Sequence, residues 1–600
     1  MTELSQTKRP QDPLPNYTNS PPWLKRVSRV TQVDEVRADR HVSLRLLRSS
    51  GGLQSAILKG CCRGRHSIHF QRRSLYVLFR SRELQFLSVA RTVVRNLASS
   101  WVGFASQLVV TFFLTPFVIG ALGTEAYGVW LLLQATVGYY GLVDMGLRAG
   151  LTQSITRRIA AGDIDAVRGH LGAAVPMLAC LGLLVTVIGG ALGWVLPRAV
   201  EMAPAVQSGL WIVILVQAVS VGLQMPFAPY GAVLVGLQRY DIANGLAVVT
   251  RLLSAGLTYL ALVNGGGLLA LSVVLLISNV IDSVIRSRLA IYLLPGIRGV
   301  VPKLNRSELS ELSNVGVWNF LIHISRRLIC FSDALVIGVL FSAAAVVPFG
   351  IASALVEYGD RIIVMSVRIL FPTMVQLKAD GNREHLRDLY IGATRIIFAT
   401  SIAIVIVGAT WITPFLLLWL GGGAETEAIR AQAPALFLAL GIAFAFVGLQ
   451  RAGIQLILAD GQLKRLAFFL FAEAALNLVL SLVCGRWLGV IGVAIGTAIP
   501  AAIMGFGYHL PLHCKVLGIR YSRLLAELAV RPVIFGMLLL GAMQLMTQVT
   551  AAPATWPAFA SRGIAVVVIS MPLGLLLLST AQRSVVLGKL VSLPRIAFSR

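Results

Sequence analysis

The chain has 600 residues, 56% of them hydrophobic and 13% charged, with 52 Lys and Arg against 26 Asp and Glu. Soluble domains run near 45–50% apolar and about 25% charged, so a water-soluble globular enzyme is excluded. The formal charge of +26 does not point to nucleic acid, because in a membrane protein the placement of cations along the chain carries the information.

Residues 1–90 are basic and turn-rich at their start (RPQDPLPN, NSPPWLKR), with no apolar run long enough for a signal-peptide core. They predict a cytoplasmic N-terminal extension without a stable domain, read either as binding the anionic inner leaflet or as an extension without a role of its own. From there on, apolar runs recur at the roughly 20-residue length that a bilayer core about 30 Å thick requires of a helix. They predict spans near 96–119, 126–147, 171–194, 209–235, 247–263, 268–285, 317–341, 348–374, 392–419, 433–458, 466–483, 487–510, 531–548 and 562–580. An open strand edge finds no partner in lipid, so the expected fold is an all-α polytopic membrane protein of about 14 helices. Its parts are a six-helix lobe over 92–290, a basic linker over 291–316, a second six-helix lobe over 317–510, a terminal helix pair over 531–580 and a tail over 581–600.

With the N-terminus placed in the cytoplasm, 41 Lys and Arg fall on that side and only Arg198, Arg430, Arg486 and Arg562 on the other. That bias predicts cytoplasmic termini. Cys180, Cys330 and Cys484 lie in or beside apolar spans and read as packing residues. Cys61 and Cys62, in the basic extension, are candidates for acylation.

A repeat runs through the spans at an offset near 220 residues. EAYGVWLL pairs with VPFGIASA, setting Tyr127 against Phe349 and Gly128 against Gly350. The loops RRIAAGDIDAVRGHL (157–171) and VQLKADGNREHLRDL (375–389) pair in the same way. Two such halves in the same orientation are a transporter architecture with the substrate site between them.

The remaining seven cations, Arg251, Arg326, Arg327, Arg361, Arg368, Arg395 and Arg451, all lie inside predicted spans and all are Arg. A charge at mid-membrane costs about 2.5–3.5 kcal/mol on insertion scales, so it is kept where it faces a cavity or a partner. At about 100° per residue, Tyr140, Asp144 and Arg148 share one face of the second span; Asn319, His323, Arg326 and Asp333 share one of the seventh; Glu357, Asp360, Arg361 and Arg368 share one of the eighth. The first span adds Asn96, Ser100, Gln107 and Thr111 on one face. These four helices are expected to line a central cavity, with Arg326, Arg361 and Arg368 taking an anionic, phosphate-bearing cargo, which Arg binds in a bidentate fashion. The plainer alternative is that Arg326 and Arg361 pair with neighbouring acids and that Arg395 and Arg451 snorkel to an interface.

The segment 95–163 resembles the start of the polysaccharide-export flippases (O-antigen or oligosaccharide translocases) of the multidrug/oligosaccharidyl-lipid/polysaccharide (MOP) transporter superfamily. The resemblance is carried by RNLASSW (95–101), TPFVIGALGTEAYGVW (115–130), GYYGLVDMGL (138–147) and the basic loop ending in AAGD (160–163), with DALVIGVLFSAAAVVPFGIA (333–352) in the second half. It implies a bilobed flippase of the bacterial inner membrane that moves undecaprenyl-pyrophosphate-linked oligosaccharide for O-antigen (lipopolysaccharide), capsule or exopolysaccharide assembly. It implies a polyisoprenyl-pyrophosphate-linked glycan and membrane lipids as partners, with a polysaccharide polymerase and export machinery downstream and no nucleic acid. Family members use cavity arginines for the pyrophosphate. No cofactor or catalytic signature is expected; a coupling ion, H+ or Na+, is not readable, and no P-loop supports ATP hydrolysis. The basic N-terminal ninety residues depart from the family pattern. The rival readings are a multidrug and toxic-compound extrusion (MATE) type cation antiporter, which should have an acid-dominated cavity, and a membrane-embedded polysaccharide polymerase or ligase, which should carry a large external loop.

Overall fold

The computed structural model describes residues 67–140, 147–200, 202, 204–207, 209–302, 316–578 and 583. The unit described below is Val89–Arg600. Among the described residues every regular element is helical.

The helix assigned Ser67–Tyr140 is broken at Gly123 (φ 79°, ψ 164°), a left-handed position that glycine occupies without a Cβ clash. Its arms are α1 (94–122) and α2 (124–140). There follow α3 (Leu147–Ala161), α4 (Ile164–Ala199), α5 (Leu210–Gly236), α6 (Tyr240–Val263) and α7 (Leu268–Leu293). The second half repeats the order with α8 (Gly316–Leu340), α9 (Val346–Val367), α10 (Leu370–Ala379), α11 (Arg383–Leu420), α12 (Glu427–Ala459), α13 (Leu463–Leu488) and α14 (Val490–Leu517). A terminal pair, α15 (Tyr521–Val549) and α16 (Trp556–Gly574), closes the chain.

Twelve segments are long and apolar enough to cross a membrane, with α1 and α2 counted as one. Separating those two at Gly123 and adding α8, whose three charges Arg326, Arg327 and Asp333 all lie in its central stretch, gives the fourteen crossings read from the sequence. The second crossing is described as far as Tyr140; the rest of the expected span over 141–146, Asp144 included, lies outside the described residues.

The repeat is visible in the turns. Gly162 (φ 75°) and Gly381 (φ 70°) each place one left-handed residue before a cap. Asp163 Oδ1 then accepts from Ala166 N at 2.9 Å, and Asn382 Oδ1 accepts from His385 N at 3.2 Å. Each cap satisfies an amide that a helix start leaves without an intrahelical partner, fixing where α4 and α11 begin.

Packing differs between the two ends of the bundle. At the Gly128 end, one apolar core draws on both halves: Ile119, Leu132 and Leu133 with Ile337, Val346, Val347 and Phe349. Towards the end carrying α3 and α10 that core divides. Tyr140, Leu151, Ile155 and Leu171 form a cluster wholly within the first half, and Ile363, Met374, Tyr390 and Leu456 form one wholly within the second half and α15. The halves are therefore joined at one end and parted at the other. The terminal pair packs on α11, with Phe535, Leu539, Met543 and Val566 against Ala399 and Trp411.

Candidate functional site

Close approach of the halves depends on positions without a side chain. A Cβ on Gly128 would stand 1.9 Å from the Ala343 carbonyl oxygen, and one on Gly350 would stand 2.6 Å from Leu131 Cδ1. Farther along, a Cβ on Gly138 would meet the Phe331 ring at 2.7 Å, and one on Gly338 would meet Leu132 at 2.6 Å. Small residues bring α2 against α8, α9 and the turn between them, as small residues do between helices in lipid. Tyr127 and Phe349, paired in the sequence repeat, are both buried in this joint. The repeat motif is thus the seal.

Where the halves part, charged groups appear. His323, Arg326 and Cys330 lie on one face of α8, at spacings of three and four, and all three are exposed. Arg326 and Cys330 are nevertheless deep among protein atoms, so that exposure is to a recess rather than to the outer surface. Arg326 interacts electrostatically with Arg451, Asp360 and Arg368, which places groups from α8, α9, α12 and the α9–α10 junction round one opening. Arg451 donates to Asp360 Oδ1; their side chains are 15% and 24% exposed. Arg361 Nη2 donates to Glu357 at 2.7 Å, one turn away, with the two side chains 38% and 58% exposed.

Arg361 also reaches across the gap: its Nη1 donates to Gln107 Oε1 on α1 at 2.7 Å. Close by, Arg251 of α6 donates to the Gly103 carbonyl at 2.9 Å and to Ser106 Oγ at 2.7 Å, and it feels the charge of Arg361. At the mouth, Arg368 faces Thr152, Gln153, Thr156 and Arg157 of α3 across an open cavity of about 910 Å³. The hydroxyls of Thr152 and Thr156 donate to backbone carbonyls within α3, at 2.7 and 2.6 Å. The guanidiniums and the Gln153 amide are therefore the groups that can present N–H donors to a ligand there. In the second half's share of the opening four arginines, Arg326, Arg361, Arg368 and Arg451, face two carboxylates, Glu357 and Asp360. The excess is cationic, the electrostatics of an anion site.

Of the residues singled out from sequence, Gln107, His323, Arg326, Glu357, Asp360, Arg361 and Arg368 come together here, and Arg148 is exposed on α3 one turn from Thr152. Asn319 is half-buried on α8. Three expectations need correction. Tyr140 is 3% exposed in the core of the first half, its hydroxyl packed towards Gly189, so the face it shares with Arg148 by helical angle is not a cavity wall at that level. Asp333 is 4% exposed; Ser481 and Thr497 donate to its two oxygens at 2.9 and 2.6 Å, and it is satisfied inside its own half. Asn96 binds the Gln238 carbonyl within the first half. Cys330, read as a packing residue, faces the recess.

Sequence reasoning missed the roles of Arg451 and Arg251. The plainer alternative of snorkelling does not hold for Arg451, which α12 carries inward against Asp360. The available signal was that Asp360 has no cation one turn away on its own helix, while the adjacent Arg361 engages Glu357. Among the described residues, no group of three or more His, Cys, Asp or Glu comes together as a metal site.

The shape of the bundle is shared with known transporters. The solved structure of the lipid II flippase MurJ in its inward closed conformation superposes with a TM-score of 0.60 at 12% identity, over 82% of this chain and all (100%) of that one. A multidrug resistance MATE family transporter of the MOP superfamily, in its inward-facing conformation, gives 0.56 at 17% identity, over 69% of this chain and 95% of that one. In sequence, the membrane protein EpsK of Bacillus subtilis (strain 168) is 24% identical over 419 residues, which are 67% of this chain and 79% of EpsK. The model of the family described as polysaccharide biosynthesis protein matches residues 122–422, which hold the joint, the repeat and most of the charged opening. That match spans just over half of the chain, and with the MOP-type fold it settles the family: the chain is a multi-pass membrane protein belonging to the polysaccharide biosynthesis protein family.

Proposed function

We propose that the chain is a flippase that carries a polyisoprenyl-pyrophosphate-linked oligosaccharide, of the undecaprenyl type, across the bacterial inner membrane by alternating access. The observation that carries this reading is the opening itself: arginines from both halves, in excess over acids, between halves held together at the far end by their repeated motif. Arg326, Arg361 and Arg368 hold the pyrophosphate, Arg451 is held beside them by Asp360, and Arg148 and Arg157 meet the headgroup at the mouth. The lipid tail stays in the bilayer along the gap between the two halves.

In this reading the α3 end faces the cytoplasm, as the cation bias along the chain requires, and the present conformation is the loading one. Both termini are then cytoplasmic. Drive comes from an ion gradient (H+ or Na+), the membrane potential or consumption of the cargo by a polymerase and export machinery on the other side. The product feeds O-antigen, capsule or exopolysaccharide.

The test is to delete the gene and measure lipid-linked oligosaccharide in each leaflet. Accumulation of complete repeat units on the cytoplasmic leaflet, reversed by the intact gene, is expected. A mutant whose lipid-linked units reach the outer leaflet at the normal rate, or purified protein that takes up organic cations into vesicles without binding polyprenyl pyrophosphate, overturns the reading in favour of an extruder.

A further inference from the structure

A second cluster of arginines lies away from the opening, where the terminal pair meets the second half. Glu527 of α15 is the centre. It accepts from Arg387 of α11 at 3.4 Å and from Arg523 of α15 at 3.1 Å, lies 3.8 Å from Arg395 of α11, and its backbone carbonyl accepts from Arg395 Nε. Arg531, one turn further along α15, stands near enough to Arg395 for the two like charges to act on one another, and it donates to the Leu578 carbonyl at 3.0 Å. The other acid acting on Arg395 is Asp388.

Four arginines therefore converge where two carboxylates serve them. Arg395 is only 13% exposed and Glu527 26%. A net positive charge held in a half-buried place is costly unless an anion completes it. The cluster sits near the starts of α11 and α15, the level of the headgroups on the α3 side. Beside it the surface turns apolar: Ile396 on α11 and Val530, Val533, Ile534 and Met537 on α15 are all exposed. Those four α15 positions follow helical spacing down one face, giving acyl chains a track that starts at the charges.

We infer that the groove between α11 and α15 is a binding site for the phosphate headgroup of an anionic phospholipid of the surrounding membrane, held by Arg387, Arg395, Arg523 and Arg531 with its acyl chains along α15. Basic pockets between membrane helices on the cytoplasmic side take such headgroups. Arg suits the task because its planar fork matches two phosphate oxygens. The bound lipid fastens the terminal pair to the second half, which nothing in the transport reading requires.

The test uses the full chain in detergent, titrated with cardiolipin or phosphatidylglycerol and, separately, with phosphatidylcholine, and followed by native mass spectrometry and thermal unfolding. The anionic lipids bind and raise the unfolding temperature; phosphatidylcholine does not. Arg387→Gln with Arg523→Gln weakens the anionic lipids by about thirtyfold, whereas Arg387→Lys with Arg523→Lys loses far less. Arg523→Gln alone, at the most exposed member, serves if the double variant does not fold, and loses about fivefold. Equal binding of phosphatidylcholine, an undiminished preference in the glutamine variants, or inorganic phosphate or pyrophosphate competing the lipid off at equal concentration would each overturn the proposal.

Discussion

The two halves share a helix order and a turn chemistry but not a charge distribution. The register that sets Gly128 of α2 against Gly350 of α9 sets Tyr140 against Ile362, so the polar positions of the two helices do not correspond residue by residue. In the first half, Tyr140 of α2 is packed into the core; in the second, Asp360 of α9 is a carboxylate that binds Arg451. The first half's deep contribution to the opening is a neutral acceptor, Gln107, with an arginine, Arg251, whose Nη1 is bonded to α1. The second half brings Arg326, Arg361, Arg368 and Arg451. The backbone plan is therefore duplicated while the electrostatics is one-sided. An anion would stay anchored to the second half as the first swings past it, and its affinity would change little between the two states. That suits a carrier, which must release on the far side what it took up on the near one.

The widest break in this comparison comes from emptying the second half of its exposed cations. Arg361→Ala with Arg368→Ala removes two charge-assisted contacts worth about 1.5–3 kcal/mol each, so export should fall by more than a hundredfold while membrane insertion stays normal. Arg148→Ala with Arg157→Ala, the matching change in the first half, should cost less than about tenfold, because those groups sit at the mouth. Repeat-unit export in complemented deletion strains, with protein level checked in membrane fractions, measures both. Equal losses would erase the asymmetry, and unchanged export in the first double variant would remove Arg361 and Arg368 from the site.

The joint at the other end offers a contrast of its own. Gly128 approaches a backbone oxygen, which cannot yield, whereas Gly350 approaches the tip of a leucine, which can. Gly128→Ala should destabilise the joined state by about 1–3 kcal/mol and Gly350→Ala by less. In a cysteine-free background, a cysteine placed at Leu132 would then react with a membrane-impermeant thiol reagent from the side opposite α3 about tenfold faster in the first variant and nearly unchanged in the second. Identical reactivity in both would mean that the glycines merely pack.

These contrasts were partly legible in the sequence. The span count and the pairing of the loops 157–171 and 375–389 followed from periodicity and repetition, which are local; the caps at Asp163 and Asn382 came from the structure. The charge face of α9 was also legible, since 100° steps along one helix need no knowledge of its neighbours. What the sequence withheld was rotation of each helix about its own axis. Tyr140, Asp333 and the cavity arginines all occupy polar stripes, and a stripe does not say whether it meets a cavity or a neighbouring helix. Ser481 and Thr497, more than a hundred residues from Asp333, decide that it is spent inside its half. The choice between cavity and interface for Arg451 stayed open for the converse reason: its partner Asp360 lies 91 positions away, on another helix.

The smallest effect is the most telling, because its sign discriminates. Gln107 holds Arg361 across the gap through one hydrogen bond of 2.7 Å. Arg361 is 38% exposed and already shares Glu357, so the bond is worth well below the usual range for a charged donor, about 0.5–1 kcal/mol. Gln107→Leu should favour separation of the halves at this level by about two- to fivefold. Gln107→Glu replaces a neutral acceptor with a carboxylate and should favour the present conformation by a similar factor. Distances between spin labels on α3 and α10 would report the populations. If Gln107 did no more than fill space, the leucine and glutamate variants would shift them in the same direction; opposite shifts require that the bond to Arg361 bridges the halves in one state and is absent in the other.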